Sequence, residues 1–205
     1  MGIRHWGMAA VGLLALAVAA DGWAQSAAEI IEQARARARQ VEEIKQVLND
    51  PDQNVRLAAF EAMVGSDDSL MRELALDAGL NSTDEVLRGM ALRQAVLGLA
   101  QLTITLAVDT AAPKAIQDSS REFLEKNGNS YVMAIDPKTR DLSTGAFNMP
   151  GNVNQRGNVS GRVVTFKYSY YTGELHLQED NTLAGTVHYQ WSSNNHQFKA
   201  TAPLR

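Results

Sequence analysis

The chain has 205 residues, a length that admits one large or two small domains. It carries 19 Lys+Arg against 23 Asp+Glu and no cysteine, which excludes disulfides, a lipid-modified cysteine and thiol catalysis. Residues 25–101 hold 8 basic and 13 acidic side chains, and residues 102–205 hold 10 and 9, so neither half has the basic surface that a phosphate backbone requires and no nucleic acid is expected as a partner.

Residues 1–24 read as a secretory signal peptide. Arg4 supplies the positive start, Met8 to Ala20 form an uncharged run of 13 residues, and Gly22-Trp23-Ala24 offers small residues on either side of Trp23 before a cut. The run is shorter than the roughly 20 residues of a membrane-crossing helix. Cleavage after Ala24 is expected, leaving no transmembrane anchor and a bacterial protein that is periplasmic or secreted.

Residues 26–49 are predicted to be one helix, because Ile30, Ala34, Val41, Ile44 and Leu48 recur at helical steps in an Ala-rich run. Arg35, Arg37 and Arg39 spread around its surface. A chemical motif then returns every 16 residues: Asp50-Pro51-Asp52-Gln53-Asn54-Val55-Arg56, Ser66-Asp67-Asp68-Ser69-Leu70-Met71-Arg72 and Ser82-Thr83-Asp84-Glu85-Val86-Leu87-Arg88. A fixed period of this size marks stacked helices that cannot bury their apolar faces alone. Asp50, Ser66 and Ser82 are expected to cap the three helices, with Pro51 at a first helical position and Glu85 completing a capping box with Ser82. The apolar register repeats too. Ile44, Phe60, Leu76 and Leu92 are equivalent, as are Leu48, Val64, Leu80 and Val96, while Ala59, Ala75 and Ala91 hold one small position. The recurring Asp52, Arg56, Asp68, Arg72, Asp84 and Arg88 are expected to form a structural ladder in which each Arg pairs with acids of its own and the adjacent repeat.

The Asp-x-x-x-Arg motif, in three in-phase copies each followed by an Ala-rich apolar run, makes residues 42–100 resemble short HEAT-type repeats. The resemblance implies antiparallel helix pairs and a surface that docks a protein partner. Only about two pairs are present, so the concave surface is small.

Past residue 100 the period changes from helical to alternating. Leu102–Val108 reads as a strand, and Ala111–Lys126 as a helix ended by Asn127-Gly128. Further strands are expected at Tyr131–Ile135, Thr144–Met149, Val163–Tyr171, Glu174–Gln178, Leu183–Trp191 and His196–Ala200, with hairpin turns at Thr172-Gly173 and Glu179–Thr182 and a loop over Pro150–Gly161. The predicted fold class is therefore α+β: an antiparallel helical-repeat region over 25–101, then an antiparallel β-rich domain over 102–205, a sandwich or partial barrel with one helix.

No catalytic motif is found. There is no Gly-x-Ser-x-Gly elbow, no Ser-x-x-Lys, no phosphate-cradling glycine loop and no His-Glu-x-x-His. His176 and His188 are expected about three residues apart along their ladder, roughly 10 Å, too far to share a zinc ion; His196 is expected in an exposed turn. Asp136 and Asp141 are expected to be turn residues and offer an envelope hydrolase little support. No catalytic residue, cofactor or metal is therefore expected. Tyr168, Tyr170, Tyr189 and Trp191 share strand faces, either as core or as a platform for sugar rings. The function expected is an exported non-catalytic binding or scaffold protein that meets a protein partner through its helices. The alternative is a carbohydrate or cell-envelope polymer module that uses those four aromatics.

Overall fold

The computed structural model describes residues 26–151, 155–192 and 194–204. The signal-peptide reading lies outside the described residues. The chain divides after Gln40 into two compact units.

The described part of the first unit is the front of α1 (Ala27–Leu48). Ser26 opens it with a reciprocal capping box: the Glu29 amide donates to Ser26 Oγ, and the Ser26 amide donates to Glu29 Oε2. Every residue from Ala27 to Gln40 is exposed, Ile30 and Ile31 included.

The second unit, Val41–Arg205, begins within the last turns of α1, where Leu48 is buried. Helices α2 (Gln53–Val64), α3 (Ser69–Leu80) and α4 (Glu85–Gly98) follow. Their N-caps are Asp52, Asp68 and Asp84, each accepting the amide two residues on. The caps therefore keep the 16-residue spacing but sit two positions later than Asp50, Ser66 and Ser82. Those three instead accept the amide of the cap residue itself. The helices begin one step beyond Pro51-Asp52 and Asp84, so Pro51 is not at a first helical position and Glu85 is not Ser82's partner. Phe60 and Leu92 are buried and Leu76 is half-buried, so the shared apolar register faces inward.

From Gln101 the chain builds an eight-stranded antiparallel sheet curled into a half-barrel: β1 (Gln101–Val108), β2 (Ser130–Ala134), β3 (Ala146–Asn148), β4 (Arg156–Ser160), β5 (Val163–Tyr168), β6 (Tyr171–Leu177), β7 (Thr182–Trp191) and β8 (Asn194–Pro203). The order is β2-β1-β8-β7-β6-β5-β4-β3. Strand β4 occupies the segment expected to be a loop. Glycines admit the curl on the inner face. Added Cβ atoms at Gly157 and Gly173 would stand 2.2 Å from the rings of Phe147 and Phe166, their cross-strand neighbours. Gly173 is thus an interior strand position under an aromatic ring. The turn expected at Thr172-Gly173 lies instead at Ser169-Tyr170, between the paired Tyr168 and Tyr171, with Ser169 at φ 52°. Only the first of its two central residues has positive φ, the pattern of a type II′ hairpin.

Helix α5 (Lys114–Asn127) continues an edge that β1 abandons. β1 pairs with β8 only as far as Val108↔Phe198. One residue further, Ser120 Oγ accepts the Gln197 amide and donates to the Gln197 carbonyl, both at 3.1 Å. The buried hydroxyl so satisfies two backbone groups a missing strand would have left orphaned. The helical layer and the sheet share one core, running from Phe60, Leu87, Leu92 and Val96 through Leu102, Ile104, Val164 and Leu175 to Phe198. The change of pattern at residue 101 is therefore a passage from helix to strand inside one compact unit.

Candidate binding site

The two hairpin tips at the Tyr171 end of β6 hold the aromatics. Tyr170, in the β5–β6 turn, and Trp191, the last residue of β7, meet because the Gln190 amide donates to the Tyr170 carbonyl. Their rings stack with centroids 5.2 Å apart and planes 9° apart. Both remain exposed, Tyr170 at 46% and Trp191 at 57%. Tyr189 lies under the pair, edge-on to Tyr170 at 5.9 Å. Trp191 has no ring contact but Tyr170 among the described residues, and the indole keeps more than half of its surface exposed. The chain neighbours Ser169, Gln190 and Ser192, and Asn195 opposite Gln190, are all exposed and uncharged.

The other two expected platform residues turn inward. Tyr168 and Tyr189 are half-buried and pack on the core. Tyr131 stacks on Tyr171 at 4.6 Å and approaches Tyr168 at 6.0 Å. Burial among these phenols pushes Tyr131 up from its ordinary value. On the far side, Phe123 of α5 packs against Tyr189 at 4.8 Å and His196 at 4.8 Å. His196 thus lies within β8, half-buried among rings, and desolvation lowers its pKa; it is not in an exposed turn. The four-ring platform becomes an exposed stacked pair on a partly buried base. Tyr170, expected within the Val163–Tyr171 strand, lies in the turn instead.

Of the six ladder residues, Arg56 and Asp84 are brought together. Arg56 donates to the Asp50 carbonyl at 2.6 Å, and Arg72 to the Ser66 carbonyl at 2.6 Å, each reaching back across its own helix start. Arg56 also pairs with Asp84, the N-cap of α4, at 2.5 Å. Asp52 and Asp68 serve as caps. Arg88 is 5% exposed and reaches from α4 to both the end of α3 and the sheet. Its guanidinium donates to the Leu80 and Gln178 carbonyls and to Glu179, fastening α4 to the β6–β7 turn. Arg88 and Arg162 hold the Glu179 carboxyl below its usual range.

The polar face of β6 and β7 carries a shallow groove of about 430 Å³ lined by Thr172, Glu174, His176, Thr186 and His188. The register is Glu174↔Thr186, His176↔Ala184 and Thr172↔His188. The imidazoles are thus four positions apart, roughly 13 Å at ~3.3 Å per residue, one more than expected. His176 hydrogen-bonds Glu174 at 2.9 Å. No cluster of three metal-ligating side chains occurs among the described residues. Asp136 caps the short 3-10 turn Pro137–Thr139, and Asp141 accepts from Ser143 and Thr144, which hold its carboxyl far below the usual range. Both carboxylates are thus engaged in local turn structure.

No family model, curated protein or solved structure matches this chain. Among the described residues no helix is long and apolar enough to cross a membrane.

Proposed function

We propose that this is an exported, non-catalytic binding protein that recognises a neutral glycan of the cell envelope through Trp191, with Tyr170 fixing the indole from behind. The observation that carries this reading is the solvent-exposed parallel stack of the two rings at adjacent hairpin tips. A flat aromatic face matches the C–H face of a sugar ring, and a braced ring loses little rotamer freedom when the sugar docks. Uncharged hydrogen-bonding neighbours suit a polyhydroxylated ligand better than a charged one. Tryptophan fluorescence titrated with a panel of neutral oligosaccharides is expected to shift. Trp191→Ala is expected to weaken binding at least about tenfold, near 1.4 kcal/mol, as measured by calorimetry. No heat or spectral change across the panel, or unaltered affinity in Trp191→Ala, overturns the reading.

A protein partner on the helical layer is the second reading. A cleft of about 510 Å³ between α2, α4 and the loop at 142–143 favours it, with Val64, Met90 and the exposed Leu142 beside Glu61 and Arg93. The helical repeats would then act as the docking scaffold. Leu142→Glu is expected to abolish capture of such a partner from envelope extract while leaving glycan binding intact.

A further inference from the structure

The free edge of β2 is built to accept a strand. Its inner neighbour β1 takes the backbone groups of alternate residues: the Ile135 amide donates to the Ala100 carbonyl, and the Leu106 amide to the Asn129 carbonyl. With the register Leu102↔Met133 and Ile104↔Tyr131, residues 129, 131, 133 and 135 point their backbone groups toward β1. Ser130, Val132 and Ala134 therefore point theirs outward. Asp136, next in the series, is already used, its amide donating to the Asn148 carbonyl at 2.9 Å. β2 has no other strand partner among the described residues.

The edge lacks the devices that keep such strands apart. Ser130-Tyr131-Val132-Met133-Ala134 holds no charge and no proline, and Val132 is 48% exposed at its centre. The outer-face neighbours on β1, Gln101, Thr103 and Thr105, are uncharged too. A chain of net charge −4 thus brings no like-charged pair into this contact. The outward groups are also self-complementary. A second copy laid antiparallel with Val132 on the two-fold axis pairs 130 with 134, 132 with 132 and 134 with 130. Every narrow pair then falls on residues whose groups are free. The opposite edge of the sheet, β3, is three residues long and tied to Thr139 and Asp136. A head-to-tail contact from β2 to β3 is thereby disfavoured, and a closed dimer preferred over a filament.

We infer that β2 is a self-association edge that joins two copies of this chain in an isologous antiparallel pair centred on Val132. The test uses the full chain in analytical ultracentrifugation, with amide hydrogen exchange on the same samples. A concentration-dependent dimer is expected, with Ser130, Val132 and Ala134 amides slowed in the dimer. Val132→Lys, at an exposed position, is expected to keep the wild-type melting temperature and raise the dimer dissociation constant at least tenfold. A monomer at every concentration overturns the inference, as does a dimer that Val132→Lys leaves intact. Slow exchange of these amides in a monomer also overturns it, because the chain itself would then cover the edge. Trp191→Ala leaves this assay unchanged, so failure here is distinguishable from failure of glycan binding.

Discussion

At the scale of single residues, Asp84 concentrates the most. It caps α4 by accepting the Val86 and Leu87 amides, and its carboxylate also takes Gln53 and Arg56. The Arg56 guanidinium lowers its carboxyl from 3.8 to about 2, against the opposing pull of burial. The folded value lies below the unfolded one, so this stabilisation is complete above about pH 4 and is lost as pH falls toward 2. Asp84→Asn keeps a competent cap but removes the charge on Arg56's acceptor. It is expected to cost about 1–2 kcal/mol at pH 7. The gap between wild type and Asp84→Asn in urea melts is expected to close between pH 4 and pH 2. A gap that stays constant over that window contradicts the assignment. The same residues show how far single positions could be read. Both members of each pair, Asp50 and Asp52, Ser66 and Asp68, Ser82 and Asp84, are good cap residues, so spacing was legible and phase was not. Only the folded backbone decides which member receives the helix amide. Trp191 and Tyr170 were legible as candidates, but their stacking depends on a turn placed by Ser169.

At the scale of elements, α2, α3 and α4 meet where side chains are smallest. A Cβ on Gly79 of α3 would lie 2.7 Å from the Ala91 Cβ of α4 and 2.9 Å from the Phe60 ring of α2. Replacing a helical glycine by alanine gains up to about 1 kcal/mol of propensity. Overpacking a filled site costs about 1–3 kcal/mol. The contacts are with a rigid methyl and a buried ring, so the second effect dominates. Gly79→Ala is expected to destabilise by about 1–2 kcal/mol net. Ala91→Gly in the same chain is expected to recover part of the loss, visible in denaturant melts as a double mutant milder than the sum of its parts. A stabilised Gly79→Ala variant contradicts this packing. The small position at Ala59, Ala75 and Ala91 was visible in the 16-residue register, whereas Gly79 had no partner in it. The sheet shows the same limit. Helix α1, the β6–β7 hairpin and most strands were legible from period and turn residues. Strand β4 was not, because Gly157 and Asn158 in Arg156–Ser160 imitate a loop. Gly157 is small because Phe147 lies over it, a long-range reason that local pattern does not contain.

At the scale of the whole molecule, the helical layer completes the sheet's core. Leu87, Ala91, Leu92, Val96 and Leu97 of α4 are all at most 2% exposed and belong to the same cluster as Leu102, Val159 and Leu183. Arg88 adds a polar fastening, its guanidinium satisfying the Leu80 and Gln178 carbonyls from within the interface. Gly89 passes so close to the β4–β5 turn that an added Cβ would stand 3.1 Å from Gly161 Cα. Removing residues 1–101 would uncover the apolar groups that α4 covers and take away the Arg88 bond to the Gln178 carbonyl. Each fully buried Leu or Val side chain so exposed forfeits about 1.5–3 kcal/mol. Three or four of them already match the 5–15 kcal/mol that holds an ordinary domain folded. The fragment 102–205 is therefore expected to show no cooperative thermal transition by circular dichroism. The full chain is expected to unfold its helices and sheet together, with coincident midpoints at a helix-sensitive wavelength and in Trp191 emission, isolated by difference against Trp191→Phe. A fragment that melts cooperatively on its own would mean that the sheet holds a sufficient core without α4. The shared core would then be a docking contact between two domains that fold independently.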